Sequence, residues 1–216
     1  MTPGAAARRG RSGAAGIVLA GGRSRRFGRD KLAASMPDGR TVLTRAVEAI
    51  ASVVDLVAIV IPPDGPTPDA LPQHILVVRD PQAFGGPVAG ILAGLEALGG
   101  TADSIVVVAG GDMPWMLPEV LKLLVDALEA DPDATCSRLG SATAGEPPVL
   151  LPCALRLGAA RAAARSAVAD DERRLQRMPE RLATAVIDSA RWRAIDPDGR
   201  TPRDVDRPAD LADRPS

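Results

Sequence analysis

The chain has 216 residues, a formal net charge of -1, 46% hydrophobic and 2% aromatic residues, and no tyrosine. That length supports one sizeable core, the near-zero charge offers no global field toward nucleic acid or an anionic membrane, and the aromatic shortage removes the stacking platforms that single-stranded nucleic acid needs. Two cysteines, Cys136 and Cys153, are too few for a disulfide scaffold and lack zinc spacing, so they read as buried thiols of a reducing, cytoplasmic compartment.

Residues 1–14 are expected to be a disordered tail of small residues and arginines, followed by one domain over 15–213. The apolar run Ala14 to Ala20 is too short for a signal-peptide core or a membrane span. It holds the first predicted strand, Gly16 to Leu19. A helix is expected over Thr41 to Ser52, where Val42, Leu43, Ala46, Val47 and Ile50 share one side. Strands follow at Leu56 to Ile61 and Ile75 to Val78, then an Ala/Leu-rich helix over Val88 to Leu98 and a strand at Ile105 to Ala109. The period returns to helical over Leu117 to Ala130. These strands are continuous Val/Ile runs without polar alternation, the pattern of parallel strands buried on both faces. Alternation of strand and helix predicts an α/β fold with a doubly wound, mostly parallel, Rossmann-like sheet. Beyond Asp131 the pattern changes: short apolar pieces at Ala134 to Leu139, Val149 to Leu151 and Ala183 to Ile187 surround a helix-like Ala154 to Val168, which predicts an antiparallel C-terminal extension at the sheet edge. The arginines 156, 161, 165, 173, 174 and 177 read as a solvated helical face.

Four motifs fall where predicted strands end, the place at which open α/β sheets bind ligands. In VLAGGRSRRFGRDK, the small residues Ala20, Gly21 and Gly22 let backbone amides approach an anion, and Arg23, Arg26 and Lys31 supply charge-assisted hydrogen bonds suited to a polyphosphate. It matches neither the dinucleotide fingerprint nor the Walker loop. In Gly110-Gly111-Asp112-Met113-Pro114, Asp112 stands at a strand mouth as a candidate Mg²⁺ ligand, since that ion takes one or two carboxylates plus substrate phosphates; capping of a helical turn is the alternative. Asp80 opens a Gly- and Pro-rich stretch through Gly90, a loop into a helix N-terminus that can receive a phosphate, a ribose or a base edge. Asp204 and Asp206 in DVDRPADL have strand spacing and point the same way if extended, so together they can complete a divalent-ion site, with Asp206 as the second ligand beside Asp112; a surface turn with Asp206 as a helix cap is the alternative.

These four stretches, in this order, resemble the molybdenum cofactor guanylyltransferases. LAGGRSRRFGRDK is similar to the family signature LAGGxSxRMGxDK, and the likeness continues through Asp80, GGPVAG, GDMP and DVDRPADL, over residues 16 to 211. The resemblance implies the nucleotide-diphospho-sugar transferase fold and transfer of GMP from GTP to Mo-molybdopterin, with pyrophosphate released. It implies that Leu19, Ala20, Gly21 and Gly22 line the GTP site, that Lys31 binds its phosphates, that Asp80 binds the nucleotide, and that Asp112 binds Mg²⁺ and GTP. Lys31, Arg26 and Asp112 are then the catalytic set, and molybdoenzymes or their chaperones are downstream partners. Three features depart from the family pattern. The second strand ends Val60-Ile61-Pro62 where a polar residue often contacts the nucleotide. The C-terminal motif carries aspartates, as in the related cytidylyltransferases. Gly145-Glu146-Pro147-Pro148-Val149 stands where a Gln-Pro pair is common. A CTP-using cytidylyltransferase, a sugar-phosphate nucleotidyltransferase and a non-catalytic nucleotide-binding module are the competing readings.

Overall fold

Runs such as Leu56–Ile61 and Ile105–Gly110 can lie at the centre of a sheet because both of their faces are apolar. A computed structural model describes residues 13–21, 30–68, 75–81, 86–141, 143 and 145–212. Its elements in chain order are β1 (Ala15–Leu19), α1 (Val42–Ala51), β2 (Leu56–Ile61), β3 (Ile75–Arg79), α2 (Gly86–Ala97), β4 (Ile105–Gly110), α3 (Pro118–Ala130), β5 (Cys136–Leu139), β6 (Cys153–Arg156), α4 (Leu157–Ala169), β7 (Thr184–Ile187) and α5 (Ser189–Arg193), with 3-10 turns at Leu175–Arg181 and Pro208–Ala212.

Among the described residues seven strands form one sheet in the order β3-β2-β1-β4-β6-β5-β7. β1, β2, β3 and β4 are parallel, as the buried apolar runs require. The antiparallel strand beyond Asp131 is present, but it is β6, internal rather than at the edge, paired with β4 on one side and β5 on the other. The crossover through α3 passes over one strand position before β5 is laid down, and the returning chain fills that gap. β7 then adds in parallel to β5 as the edge. The sequence pattern runs Ala154 to Arg156 into the following helix, since ALR is as compatible with a helix start as with a strand; Val149 to Leu151 forms no strand.

Successive strand residues feed two apolar layers. Val18, Ile59 and Val107 pack with α1, α3 and Trp192 of α5, whereas Ile17, Ala58, Val60, Val106 and Val108 pack with α2 and α4. α1 begins at Thr41, whose hydroxyl accepts from the Thr44 amide at 3.1 Å, and Pro118 begins α3, where its missing amide hydrogen costs nothing.

Neither α2 nor α3 has a basic residue in its last turn, and arginines from elsewhere take that place. Arg161 of α4 donates to the carbonyls of Leu95 at 2.8 Å and Leu98 at the end of α2. Arg156 donates to those of Leu128 at 2.7 Å and Ala134 at 2.9 Å around the end of α3. Two of the arginines read as a solvated face are therefore helix-terminal partners, while Arg165 pairs with Glu96, Arg173 with Asp171, and Arg174 and Arg177 with Glu172. Removing Arg161 strands half-buried carbonyls at a helix end and removes a charge that opposes the negative pole there. Arg161→Ala is expected to lower unfolding free energy by about 2 kcal/mol in urea denaturation; an unchanged midpoint and slope would show that water serves those carbonyls equally well.

Candidate active site

Strands β2 and β3 lie on one side of β1 and β4 on the other, so the β1/β4 boundary is the point where the chain reverses direction across the sheet, the crevice where such sheets receive ligands. Leu19, Ala20 and Gly21 emerge there. The Ala20 amide bonds to the Val60 carbonyl at 2.8 Å, and the Gly111 amide to the Leu19 carbonyl at 2.9 Å. This stitching brings the loop after β4 against the loop after β1 so closely that a Cβ on Gly111 would lie 3.2 Å from the Leu19 oxygen and 2.9 Å from Leu43. A Cβ on Gly110 would run into the Asp112 carboxylate itself. The two glycines are thus what lets Asp112 fold back over the strand end.

Lys31 Nζ donates to Asp112 Oδ2 at 2.7 Å and to Asp206 Oδ1 at 3.3 Å. Three residues far apart in sequence meet at one point, and the backbone shows how. The C-terminal segment is tied along the Asp112 loop: the Val205 amide bonds to the Asp112 carbonyl at 2.8 Å, and the Thr201 hydroxyl accepts from the Leu117 amide at 3.3 Å. Buried Asp196 shapes the turn before it by accepting from the amides of Arg200 and Thr201 at 3.0 and 2.7 Å. Asp206 stands just before the terminal turn at Pro208–Ala212. There Asp210 accepts from the amides of Asp206 and Arg207 at 2.9 and 2.7 Å, which fixes the backbone from which Asp206 reaches Lys31. Beneath them, Ala34, Met36, Val42 and Val205 form a small apolar cluster packed by Leu32, Trp115 and Leu211. It joins the segments that carry Lys31, Asp112 and Asp206.

The charges are unequal. Burial pulls the Lys31 pKa down, but its hydrogen bonds and ion pairs with Asp112 and then Asp206 outweigh that, and the net shift is upward. Its stabilisation is complete below the unfolded lysine pKa, roughly 10.4, and is lost only as pH rises through the folded value. The ammonium is therefore charged wherever the protein works. Asp204 is displaced upward, first because surrounding protein strips part of its hydration and then by the like charges of Asp112 and Asp206; Lys31 offsets only part of this. Carboxylates gathered in this way are the hard oxygen donors that a divalent cation takes. Among the described residues no three Asp, Glu, His or Cys side chains gather as a complete ligand cage. Asp112 and Asp206 offer the one or two carboxylates that a Mg²⁺ ion would take alongside substrate phosphates.

Asp80 follows β3, its amide bonded to the Ile61 carbonyl at 2.9 Å. Its carboxylate lies over α2, 3.9 Å from where a Cβ on Gly90 would stand. Gly22 and Arg26 lie outside the described residues, as does residue range 82–85 of the Asp80 motif. Pro148 and Val149 are held by Arg138 of β5, whose guanidinium donates to both carbonyls, so the stretch departing from the family's Gln-Pro pair is anchored beside the carboxyl end of β5. The sequence reading missed Asp196, Thr201 and Asp210 as the groups that shape the C-terminal segment; the Asp four residues after Asp206 was visible in the motif, but its partners were not.

Residues 16–185 match the MobA-like NTP transferase domain. The chain belongs to that family. A molybdenum cofactor guanylyltransferase of Rhodopseudomonas palustris (strain HaA2) is 32% identical over 206 residues, covering 92% of each chain. Another, from Desulfosudis oleivorans, is 36% identical over 115 residues, and that match spans about half of both proteins, 53% of this chain and 54% of the relative. Among solved structures, molybdopterin-guanine dinucleotide biosynthesis protein A from Archaeoglobus fulgidus superposes with a TM-score of 0.72 at 22% identity over 92% of this chain and 95% of that one, a likeness of fold. This MobA-like domain thus has the mixed α/β sheet of the nucleotide-diphospho-sugar transferase fold.

The raised Asp204 carboxyl carries a sign that can be checked. Its ionised form is less favourable in the folded state, so it opposes folding at neutral pH, and the penalty fades as pH falls through the folded pKa. Asp204→Asn is expected to raise the midpoint of thermal unfolding at pH 7 and to flatten its pH dependence in the acid range. A variant less stable than wild type at pH 7 would show that the Asp204 charge is compensated.

Proposed function

We propose that the protein is a molybdenum cofactor guanylyltransferase, transferring GMP from GTP to the terminal phosphate of Mo-molybdopterin with release of pyrophosphate, and that residues 15–213 act as one transferase domain. The reading is supported by relatives of that name that match along nearly the whole chain. The observation that carries it is the charged Lys31 held against Asp112 where β1 and β4 end. No helix among the described residues is long and apolar enough to cross a membrane, and a cytoplasmic location belongs to the same proposal.

The nucleophile is a phosphate oxygen of molybdopterin, which is already anionic, so the reaction needs no enzyme-bound intermediate. A bond forms from that oxygen to the α-phosphorus while the bond from the α-phosphorus to the β-phosphate oxygen breaks, and the electron pair leaves with pyrophosphate. The protein's task is alignment and charge stabilisation. Leu19, Ala20 and Gly21 offer a closely approached backbone for the nucleotide, with Gly22 continuing the motif. Asp80 binds the nucleoside portion. Lys31, joined by Arg26, exchanges its contacts with carboxylates for contacts with the phosphates and meets the charge that builds on the leaving group. Mg²⁺ held by Asp112 and Asp206 would add further positive charge at the phosphates.

Equilibrium binding of GTP, CTP and ATP in the presence of Mg²⁺ tests this assignment. GTP is expected to bind most tightly. Asp112→Ala should weaken that binding and lower turnover by a hundredfold or more, on the order of 3 kcal/mol in the transition state, while keeping a cooperative melting transition. Preference for CTP would move the protein to cytidylyl transfer, and near-normal turnover of the variant would remove Asp112 from the metal site.

A further inference from the structure

The chain leaves β2 through Pro62-Pro63-Asp64-Gly65-Pro66-Thr67-Pro68, where four of seven residues are proline. Proline has no amide hydrogen, so this loop can make few backbone hydrogen bonds of its own; one is the Gly65 amide to the Pro62 carbonyl at 3.0 Å. Its shape comes from outside. Arg79, the last residue of β3, donates from Nη1 to the carbonyls of Pro63 at 2.7 Å and Gly65 at 2.9 Å, with that of Pro62 at 3.5 Å, and from Nη2 to the Thr67 hydroxyl at 3.5 Å. A planar guanidinium can gather several carbonyls at once in a way that a lysine ammonium cannot reproduce. The turn is also tight: a Cβ on Gly65 would lie 2.9 Å from Pro62 Cδ and 3.3 Å from its oxygen.

The position of this loop gives it meaning. The Ala20 amide bonds to Val60 and the Asp80 amide to Ile61, so the residues that follow, beginning at Pro62, rise between the glycine cradle and Asp80. The Pro62 ring comes within 4.0 Å of where a side chain on Gly21 would begin. A nucleotide that touches both Gly21 and Asp80 therefore has this loop against it. With the carbonyls of Pro62, Pro63 and Gly65 turned to Arg79, the loop has proline ring surface to offer to the flat faces of a nucleoside.

We propose that the proline loop clamped by Arg79 is the wall against which the nucleoside of the bound nucleotide rests, and that Arg79 is the positioning residue that sets it. This rests on the nucleotidyltransferase reading and supplies, by shape, the contact that a polar residue at the end of the second strand would otherwise make. The wall concerns base and ribose and leaves the phosphates to Lys31.

Titration calorimetry with two probes, GTP and inorganic tripolyphosphate, each with Mg²⁺, separates those roles in wild type, Arg79→Met, Arg79→Lys and Gly65→Ala. Arg79→Met and Gly65→Ala are each expected to weaken GTP binding by about tenfold while tripolyphosphate binding stays within about twofold of wild type. Arg79→Lys should fall between wild type and Arg79→Met. In steady-state assays KM for GTP should rise with little change in the rate at saturation. Unchanged GTP affinity in both Arg79→Met and Gly65→Ala overturns the proposal, as does equal loss of GTP and tripolyphosphate in variants that still melt cooperatively. Should wild type prefer CTP, the guanylyl assignment fails alone, and the same variants read with CTP still decide the wall.

Discussion

The ammonium of Lys31 bridges two carboxylates that lie 81 and 175 residues away in sequence, and everything at the site depends on bringing those three segments together. The side chains of Lys31 and Asp112 are 16% and 25% exposed, protected enough for the attraction to exceed that of an open surface pair. The ion pair does not assemble the site by itself. The Val205 amide on the Asp112 carbonyl fixes the register of the C-terminal segment, and the small cluster around Val42 and Val205 removes apolar surface from water on all three segments at once. The electrostatic contact sits on a packing contact.

That arrangement is also consistent with the proposed function, in which the carboxylates would hold a divalent cation and Lys31 would meet the phosphates. Between Asp112 and Asp206, a lysine serves as counter-ion, while nearby Asp204 is pushed toward protonation by partial burial and then by the charges of Asp112 and Asp206. On that reading, phosphate oxygens entering from the glycine cradle would be a better partner for Lys31 than carboxylates suited to a divalent ion. The β1/β4 boundary makes this exchange local, since cradle and carboxylate emerge from adjacent parallel strands joined by the Gly111 amide.

Much of this was legible in the sequence because the physics behind it is local. Buried parallel strands announce themselves as unbroken Val/Ile runs, and the helical period located α1 and α3 to within a residue or two of Thr41 to Ser52 and Leu117 to Ala130. The gathering of Lys31, Asp112 and Asp206 followed from ordered motifs. What stayed hidden depends on tertiary partners. β6 could not be told from a helix start without the neighbours on both sides that pair with it. Arg156 and Arg161 looked solvated because helix carbonyls 28 and 66 residues back in the chain leave no mark on the local pattern. The hold of Arg79 on the proline loop is of the same kind.

Transfer of GMP at this site is measured by incubating the protein with Mo-molybdopterin, Mg²⁺ and GTP labelled at the α-phosphate, and following the label into the pterin product, with α-labelled CTP in parallel. Label from GTP is expected in the dinucleotide product, with one pyrophosphate released for each GMP transferred. Label arriving from CTP alone, or from neither nucleotide, would contradict it.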